Sequence, residues 1–167
     1  MKNNRLRKSV IITGASSGIG KYTAVKLLES GYQVFGLARK YDKLAAILSS
    51  EKLSKENKKD FYIPIQFDIT NPETFDDIIK DIISKTKENT IYGLVNNAGY
   101  VEPGAVEDIL MNNLRGQLET NFFGLVGFTK KVLPLMMIER NRGVGGRIVN
   151  VSSLAGLIPL PLIGSYS

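Results

Sequence analysis

The sequence predicts a doubly wound α/β domain, in which a parallel sheet carries helices on both faces. Short β-branched runs alternate with longer segments whose apolar residues recur at helical spacing. The β-branched runs are almost continuously apolar, as expected for strands that are covered on both faces. Parallel neighbours also require a crossover connection, which is nearly always right-handed. The 167 residues suffice for one buried core, so we expect a single domain over residues 1–167.

The alternating pattern assigns five strands and the helices between them. The strands are expected at 9–15, 32–38, 61–69, 91–99 and 146–153. One helix is expected to begin with Asn71 as its cap and Pro72 in its first turn. The segment from Val106 to Arg142 predicts a short helical turn followed by a long helix, which glycines then terminate. Those glycines are Gly143, Gly145 and Gly146.

The composition excludes several classes of site. The chain has no cysteine and no histidine, so it lacks thiolate ligands and both the commonest metal ligand and the commonest general base. We therefore expect no metal site, and acid–base chemistry must use another side chain. The net charge is +6, but the densest lysines, at 52–59, alternate with acidic residues as in a solvated helix end. Nucleic acid is therefore not an expected partner.

Two apolar segments resemble membrane or targeting signals only in part. The run after the basic start stops at Gly14, which is too short for the core of a signal peptide. The segment 148–164 contains polar residues and two prolines, which do not fit a membrane span. We therefore expect no membrane association and a cytoplasmic location.

A glycine-rich loop, "TGASSGIG" at 13–20, leads from the first strand into the first helix. Gly14 would permit the sharp turn, Gly18 the approach of a phosphate to the backbone, and Gly20 close packing of the helix. The free N–H groups and the dipole at the start of the helix favour a pyrophosphate. A lone three-glycine pattern also occurs in purely structural turns, but its place in a βαβ unit favours nucleotide binding. Hydroxyl donors are available from Ser16 and Ser17.

The end of the second strand, "LARK", bears on which dinucleotide is bound. An acidic residue there would bind the ribose 2′-hydroxyl and favour NAD. Ala38, Arg39 and Lys40 offer no carboxylate, and a guanidinium suits a 2′-phosphate by charge and geometry. We predict NADP as the cofactor, with NAD possible because Asp42 lies close by. The alternative is that Arg39 is an ordinary exposed residue at a strand end.

Four motifs in this order give the chain a resemblance to the classical short-chain dehydrogenase/reductase family. They are "TGASSGIG", "NNAG" at 96–99, "NFFG" at 121–124 and "IVNVSSLAG" followed by "YS". Each motif alone is weak, but their order and spacing are specific, and the resemblance covers the whole chain. It implies a Rossmann-like sheet of strand order 3-2-1-4-5, from which the family's C-terminal strands are missing.

The resemblance also implies the site residues. Tyr166 would be the general acid and base, Ser153 would hydrogen-bond the same substrate oxygen, and Asn121 would hold a water in a proton relay. Asp68 and Ile69 would flank the adenine, whereas Asn96 would stabilise the sheet. The cofactor would lie against Gly14, Ser16, Ser17, Gly18, Ile19, Gly20, Arg39, Asp68, Ile69, Asn97, Ala98 and Gly99.

Taken singly, several of these residues have structural alternatives. Asn121 fits a polar helix residue that bonds backbone, Ser153 a turn residue, and Asp68 a capping carboxylate. Glu102 is expected to be a loop residue without a catalytic role. The apolar residues in 154–163 could line a substrate pocket, but such a run after a strand more often indicates core.

The function predicted from the residues and the resemblance is hydride transfer between a nicotinamide and a ketone or secondary alcohol. The family activates its tyrosine with a lysine four places later, and here that position lies beyond Ser167. We therefore expect the N-terminal part of a longer enzyme, a homo-oligomer when full-length, acting on a small carbonyl or alcohol substrate. The alternative is a nucleotide-binding module without turnover.

Overall fold

The computed structural model describes residues 8–49, 58–86, 90–141, 145–158 and 160–166. These residues contain a five-stranded parallel sheet in the order β3-β2-β1-β4-β5, which confirms the predicted architecture. The strands are β1 (Ser9–Thr13), β2 (Gln33–Ala38), β3 (Tyr62–Gln66), β4 (Gly93–Asn96) and β5 (Arg147–Asn150). The helices are α1 (Gly18–Glu29), α2 (Tyr41–Ala45), α3 (Phe75–Ser84), α4 (Met111–Leu118) and α5 (Gly124–Asn141).

Two separate apolar clusters cover the two faces of the sheet. Alternate residues of β1 point to opposite faces, so Ile11 belongs to the cluster that contains Phe75 of α3 and Phe128 of α5. Ile12 belongs to the other cluster, which contains Leu28 of α1. Because β1 is covered from both sides, all five of its residues are buried. Coverage on both faces explains why the sequence of this strand is apolar at successive positions and does not alternate.

The boundaries of several elements differ from those predicted. Each strand is shorter, and β1 ends at Thr13 because Gly14 turns the chain with a φ of 67°. Asn71 occupies the N-cap position and Pro72 the first turn, as predicted, but the side chain of Asn71 makes no capping hydrogen bond. Its carbonyl instead accepts from the amide and hydroxyl of Thr74, and Pro72–Thr74 forms a 3-10 turn before α3.

The long helical segment contains a local change of winding. A π-helical turn, Glu119–Phe123, lies between α4 and α5, and the sequence analysis did not predict it. Turns of this kind occur frequently at functional sites, and this one contains Asn121. The helix ends at Asn141, and Gly143, one of the glycines predicted to terminate it, lies outside the described residues.

Apolar side chains remain exposed on β5 and along the helical segment from α4 to α5. Ile148 and Val149 of β5 are 41% and 51% exposed, as expected for an apolar edge strand. By length and composition alone the helical stretch Met111–Ile138 could cross a membrane. Of the 18-residue apolar part of this stretch that meets the hydropathy criterion, 28% is buried inside the protein. This is weak evidence for a membrane span, since core helices of soluble proteins meet the same criterion.

The hydroxyl of Thr13 connects the carboxyl ends of the neighbouring strands β1 and β4. Thr13 is the last residue of β1, and its Oγ1 accepts hydrogen bonds from the amides of Asn97 and Ala98, both at 3.1 Å. The Asn97 Nδ2 donates back to the carbonyls of Thr13 and Gly14, both at 3.1 Å. The loop after β1 and the loop after β4 are therefore held as one unit.

We expect Thr13→Val to lower the free energy of unfolding by about 2–4 kcal/mol, because valine keeps the shape but leaves two amides without an acceptor. The side chain is 1% exposed, so water cannot readily replace the hydroxyl. Thr13→Ser is the matched control, since it keeps the hydroxyl and loses one methyl group at a cost of about 1 kcal/mol. Urea unfolding followed by circular dichroism measures both, and equal losses for the two variants would contradict this account of the hydroxyl.

Candidate functional site

A cleft of about 1070 Å³ opens where the carboxyl ends of the parallel strands meet. The order β3-β2-β1-β4-β5 reverses direction between β1 and β4, which is where open α/β sheets bind ligands. All the site residues predicted from the sequence line this cleft except Gly20. The structure therefore brings the predicted cofactor residues and the predicted catalytic residues to one continuous cavity.

The three glycines of the loop meet different surroundings. A Cβ on Gly14 would lie 2.8 Å from Asn97 Nδ2 and 2.9 Å from the Cα of Ala98, so only glycine fits there. A Cβ on Gly20 would collide with the carbonyl oxygen of Gly14, which explains why Gly20 lies behind the loop and outside the cleft. At Gly18, with a φ of 51°, no atom lies within 4 Å of the Cβ position. The space beside Gly18 is therefore open.

The N-terminus of α1 has unpaired donors beside that space. Its N-cap, Ser17, is extended and its side chain makes no capping hydrogen bond. The amide of Lys21 donates the first hydrogen bond of the helix to the carbonyl of Ser17. The amides that precede Lys21 in the first turn therefore have no intrahelical acceptor. The first turn also carries no acidic residue. The positive end of the helix dipole can therefore act on an anion in the cleft.

Three cationic side chains lie at the end of the cleft next to β2, in and after the sequence "LARK". Arg39, Lys40 and Lys43 all line the cleft, and Arg39 and Lys40 are exposed. The guanidinium of Arg39 has no ion-pair partner among the residues described, so its donors are available. Asp42 does not line the cleft.

Asp68 and Ile69 follow β3 on the same edge of the sheet. The Asp68 Oδ1 accepts from the amide and the hydroxyl of Thr70, at 3.0 and 2.8 Å. This turn fixes the carboxylate at the wall of the cleft, and its second oxygen has no partner in the described residues. Ile69 is 5% exposed and offers an apolar surface beside it.

Asn121 fastens the loop after β4 to the helical segment. Its Oδ1 accepts from the amide of Tyr100 at 3.0 Å, and its Nδ2 donates to the carbonyl of Tyr100 at 2.7 Å. One hydrogen of the Nδ2 and one lone pair of the Oδ1 remain. Gly99 lies against this amide, because a Cβ there would stand 3.1 Å from Asn121 Oδ1.

Ser153 and Tyr166 lie at the opposite end of the cleft from the cationic side chains. The Oγ of Ser153 accepts from the amide of Ala155 at 3.1 Å, so the hydroxyl hydrogen is free to donate. Tyr166 lies in a turn that its amide closes on the carbonyl of Ile163 at 2.9 Å. Both side chains are partly buried and line the cleft, and no direct hydrogen bond joins their hydroxyls in the part of the chain described.

Two features of the site differ from the sequence analysis. The leucines at 154, 160 and 162 do not form core, because they are 66%, 51% and 64% exposed. Leu154 and Leu160 instead line the cleft. Gln117 was missed entirely, although its position four residues before Asn121 would have placed both amides on one helical face.

Comparison with known proteins identifies the family. Residues 8–167 match the family model described as short chain dehydrogenase. The chain is 37% identical over 158 residues to 3-ketodihydrosphingosine reductase of Bacteroides thetaiotaomicron, covering 95% of this chain and 51% of that protein. It is 32% identical over 157 residues to NADPH-dependent 3-dehydrocapnine reductase of Ornithobacterium rhinotracheale, covering 94% and 53% respectively.

The fold agrees with the sequence matches. The crystal structure of a short-chain dehydrogenase from Streptomyces avermitilis superposes with a TM-score of 0.81 at 31% identity, over 96% of this chain and 54% of the other. The chain thus spans about half the length of the relatives it matches. With the family model matched over residues 8–167, the chain belongs to the short-chain dehydrogenase family.

Proposed function

We propose that the whole protein containing this chain is an NAD(P)-dependent oxidoreductase that transfers a hydride between a nicotinamide and a ketone or secondary alcohol. One observation carries the proposal: a single cleft joins the helix N-terminus and its glycine loop to the hydroxyls of Ser153 and Tyr166. Short-chain dehydrogenases as a family support the class of reaction. The hydride is supplied by the cofactor, and the chain supplies orientation and a proton.

The residues present fit a dinucleotide. The empty space at Gly18, the free amides of the first turn of α1 and the hydroxyls of Ser16 and Ser17 suit a pyrophosphate. Asp68 and Ile69 would lie against the adenine. Asn97, Ala98 and Gly99 would line the path from the ribose to the nicotinamide, because the loop after β4 runs from the glycine loop toward Tyr100.

The proton would move through Tyr166. In the reduction its hydroxyl would donate to the carbonyl oxygen of the substrate, and in the oxidation the phenolate would accept the proton back. The Ser153 Oγ accepts from the amide of Ala155, which leaves its hydroxyl hydrogen free. That hydrogen would donate a hydrogen bond to the same substrate oxygen. Asn121 would hold a water with the donor and acceptor capacity that Tyr100 leaves free.

The preference for NADP over NAD is also part of the proposal. Arg39, Lys40 and Lys43 line the end of the cleft that a 2′-phosphate would reach. The reductase from Ornithobacterium rhinotracheale, which is named as NADPH-dependent, is consistent with this choice. A guanidinium can donate two parallel, charge-assisted hydrogen bonds to a phosphate. A neutral ribose hydroxyl cannot accept such a pair, so Arg39 would favour the cofactor with the 2′-phosphate.

A homo-oligomer and a cytoplasmic location complete the proposal. Large apolar side chains are exposed along the helical segment, and an interface between copies would cover them. The exposed residues on this segment include Leu118, Phe122, Phe123, Val126, Leu133 and Met137.

Arg39→Ala should raise the dissociation constant of NADPH about 10- to 100-fold, because it removes charge-assisted hydrogen bonds worth about 1.5–3 kcal/mol. The dissociation constant of NADH should change less than about twofold. Fluorescence titration with both cofactors measures the pair of constants. The control is Arg115→Ala, which removes an exposed guanidinium on α4 that does not line the cleft. Equal weakening of NADPH and NADH by Arg39→Ala would argue against 2′-phosphate recognition.

Tyr166→Phe should lower kcat by about 10²–10⁴-fold and leave NADPH affinity unchanged, because it removes only the proton donor. The assay follows NADPH absorbance with 3-ketodihydrosphingosine and cyclohexanone as ketones, using the protein as encoded with any residues that follow Ser167. Tyr100→Phe is the matched control, since Tyr100 also lines the cleft and has no proposed part in proton transfer. If the wild-type protein binds NADPH but turns over neither ketone, the nucleotide-binding module is the better description.

A further inference from the structure

Gln117 is a buried amide whose two polar atoms are both engaged. The side chain lies on α4, and the residue is only 2% exposed. Its Oε1 accepts from the amide of Glu102 at 2.6 Å, and its Nε2 donates to the carbonyl of Ser165 at 2.9 Å. It therefore joins the loop after β4 to the residue that immediately precedes Tyr166.

Gln117 and Asn121 act on the same loop. They are four residues apart, and so occupy one face of the helical segment, one turn apart. Asn121 binds the amide and carbonyl of Tyr100, and Gln117 binds the amide two residues later, at Glu102. The amide side chains of Gln117 and Asn121 thus bind three main-chain groups of the loop and hold it in fixed register with the helix.

Further hydrogen bonds join the segment that carries Tyr166 to the loop after β4. Besides the bond from Gln117, the carbonyl of Leu162 accepts from the amide of Gly104 at 2.7 Å, and the Ser165 hydroxyl donates to the carbonyl of Glu102 at 3.3 Å. Hydrogen bonds therefore join the residue that directly precedes Tyr166 to Gln117 and to the loop after β4.

We propose that Gln117 is a positioning residue, which fixes Tyr166 in the cleft by holding the carbonyl of Ser165 in register with the loop after β4 and with Asn121. The inference rests on the proposed function, because a fixed tyrosine matters only where its hydroxyl meets a substrate. Proton transfer requires the donor within hydrogen-bond reach of the acceptor, and a displacement of about 1 Å can cost about a hundredfold in rate.

Two substitutions separate the hydrogen bonds of Gln117 from its bulk. Gln117→Met keeps the length and volume of the side chain but makes neither hydrogen bond. Gln117→Asn keeps the amide but is one methylene too short to reach both partners. The matched control is Asn113→Ala, which lies one turn earlier on α4 and removes an exposed bond, from Asn113 Nδ2 to Glu102 Oε1 at 2.7 Å. The control disturbs the same loop without touching Ser165.

The first measurement is kinetic, with NADPH and whichever of 3-ketodihydrosphingosine and cyclohexanone the wild type reduces faster. We expect both Gln117 variants to lower kcat at least about tenfold per NADPH-binding molecule, while the dissociation constant of NADPH changes less than about twofold. Asn113→Ala should keep kcat within about twofold of the wild type. A role in stability alone would lower the melting temperature and leave kcat of the folded molecules unchanged, and that result would overturn the proposal.

The second measurement is hydrogen–deuterium exchange, which does not depend on activity. Peptides covering 160–166 should exchange faster in both Gln117 variants and at the wild-type rate in Asn113→Ala. Unchanged exchange in a folded Gln117 variant would also overturn the proposal. Should the Met variant fail to fold, the milder Asn variant decides the question. A wild-type protein without NADPH binding or turnover refutes the proposed function, whereas faster exchange in the variants would still establish the contact to Ser165.

Discussion

The site depends on the hydroxyl of Thr13, which holds the loop after β1 and the loop after β4 together. Parallel strands β1 and β4 are neighbours in the sheet, and in the described residues the loops that follow them are joined through side chains and not by a backbone ladder. The Thr13 Oγ1 accepts two consecutive amides, and Asn97 returns two hydrogen bonds to the carbonyls of Thr13 and Gly14. This exchange buries polar groups without leaving them unpaired, and it fixes the glycine loop against the loop that leads to Tyr100.

The fold was predictable because it follows from patterns that repeat along the chain. A strand covered on both faces must be continuously apolar, and the crossover helices must be amphipathic, so both leave a periodic trace in the sequence. The glycine loop was predictable for a similar reason. Gly14 must adopt a φ of 67° with Asn97 and Ala98 in contact, and the requirement for glycine at such a position appears directly in the sequence.

Features that depend on the surroundings of a single residue were not predictable. The sequence places Asn71 at the start of a helical turn, but it does not show that its side chain makes no capping hydrogen bond or that its carbonyl accepts from both the amide and the hydroxyl of Thr74. The leucines at 154, 160 and 162 are apolar enough for core, yet they lie exposed or at the cleft. Gln117 was missed because its partners are main-chain groups 15 and 48 residues away, and main-chain groups give no signal in a sequence.

The two ends of the cleft are held by different forces, and this difference bears on how they move. The end of the cleft at the glycine loop rests on buried strands and on the packed faces of α1 and β1, so opening it would expose the core. The end around Tyr166 is joined to the loop after β4 by the amide side chain of Gln117 and the hydroxyl of Ser165, so in the part of the chain described its opening would break these hydrogen bonds. Because local opening follows the regions with the fewest buried contacts, the turn around Tyr166 should open before the glycine loop does. The buried amide of Gln117 opposes that opening, since separating it from Glu102 and Ser165 would leave polar groups unpaired in a water-poor site.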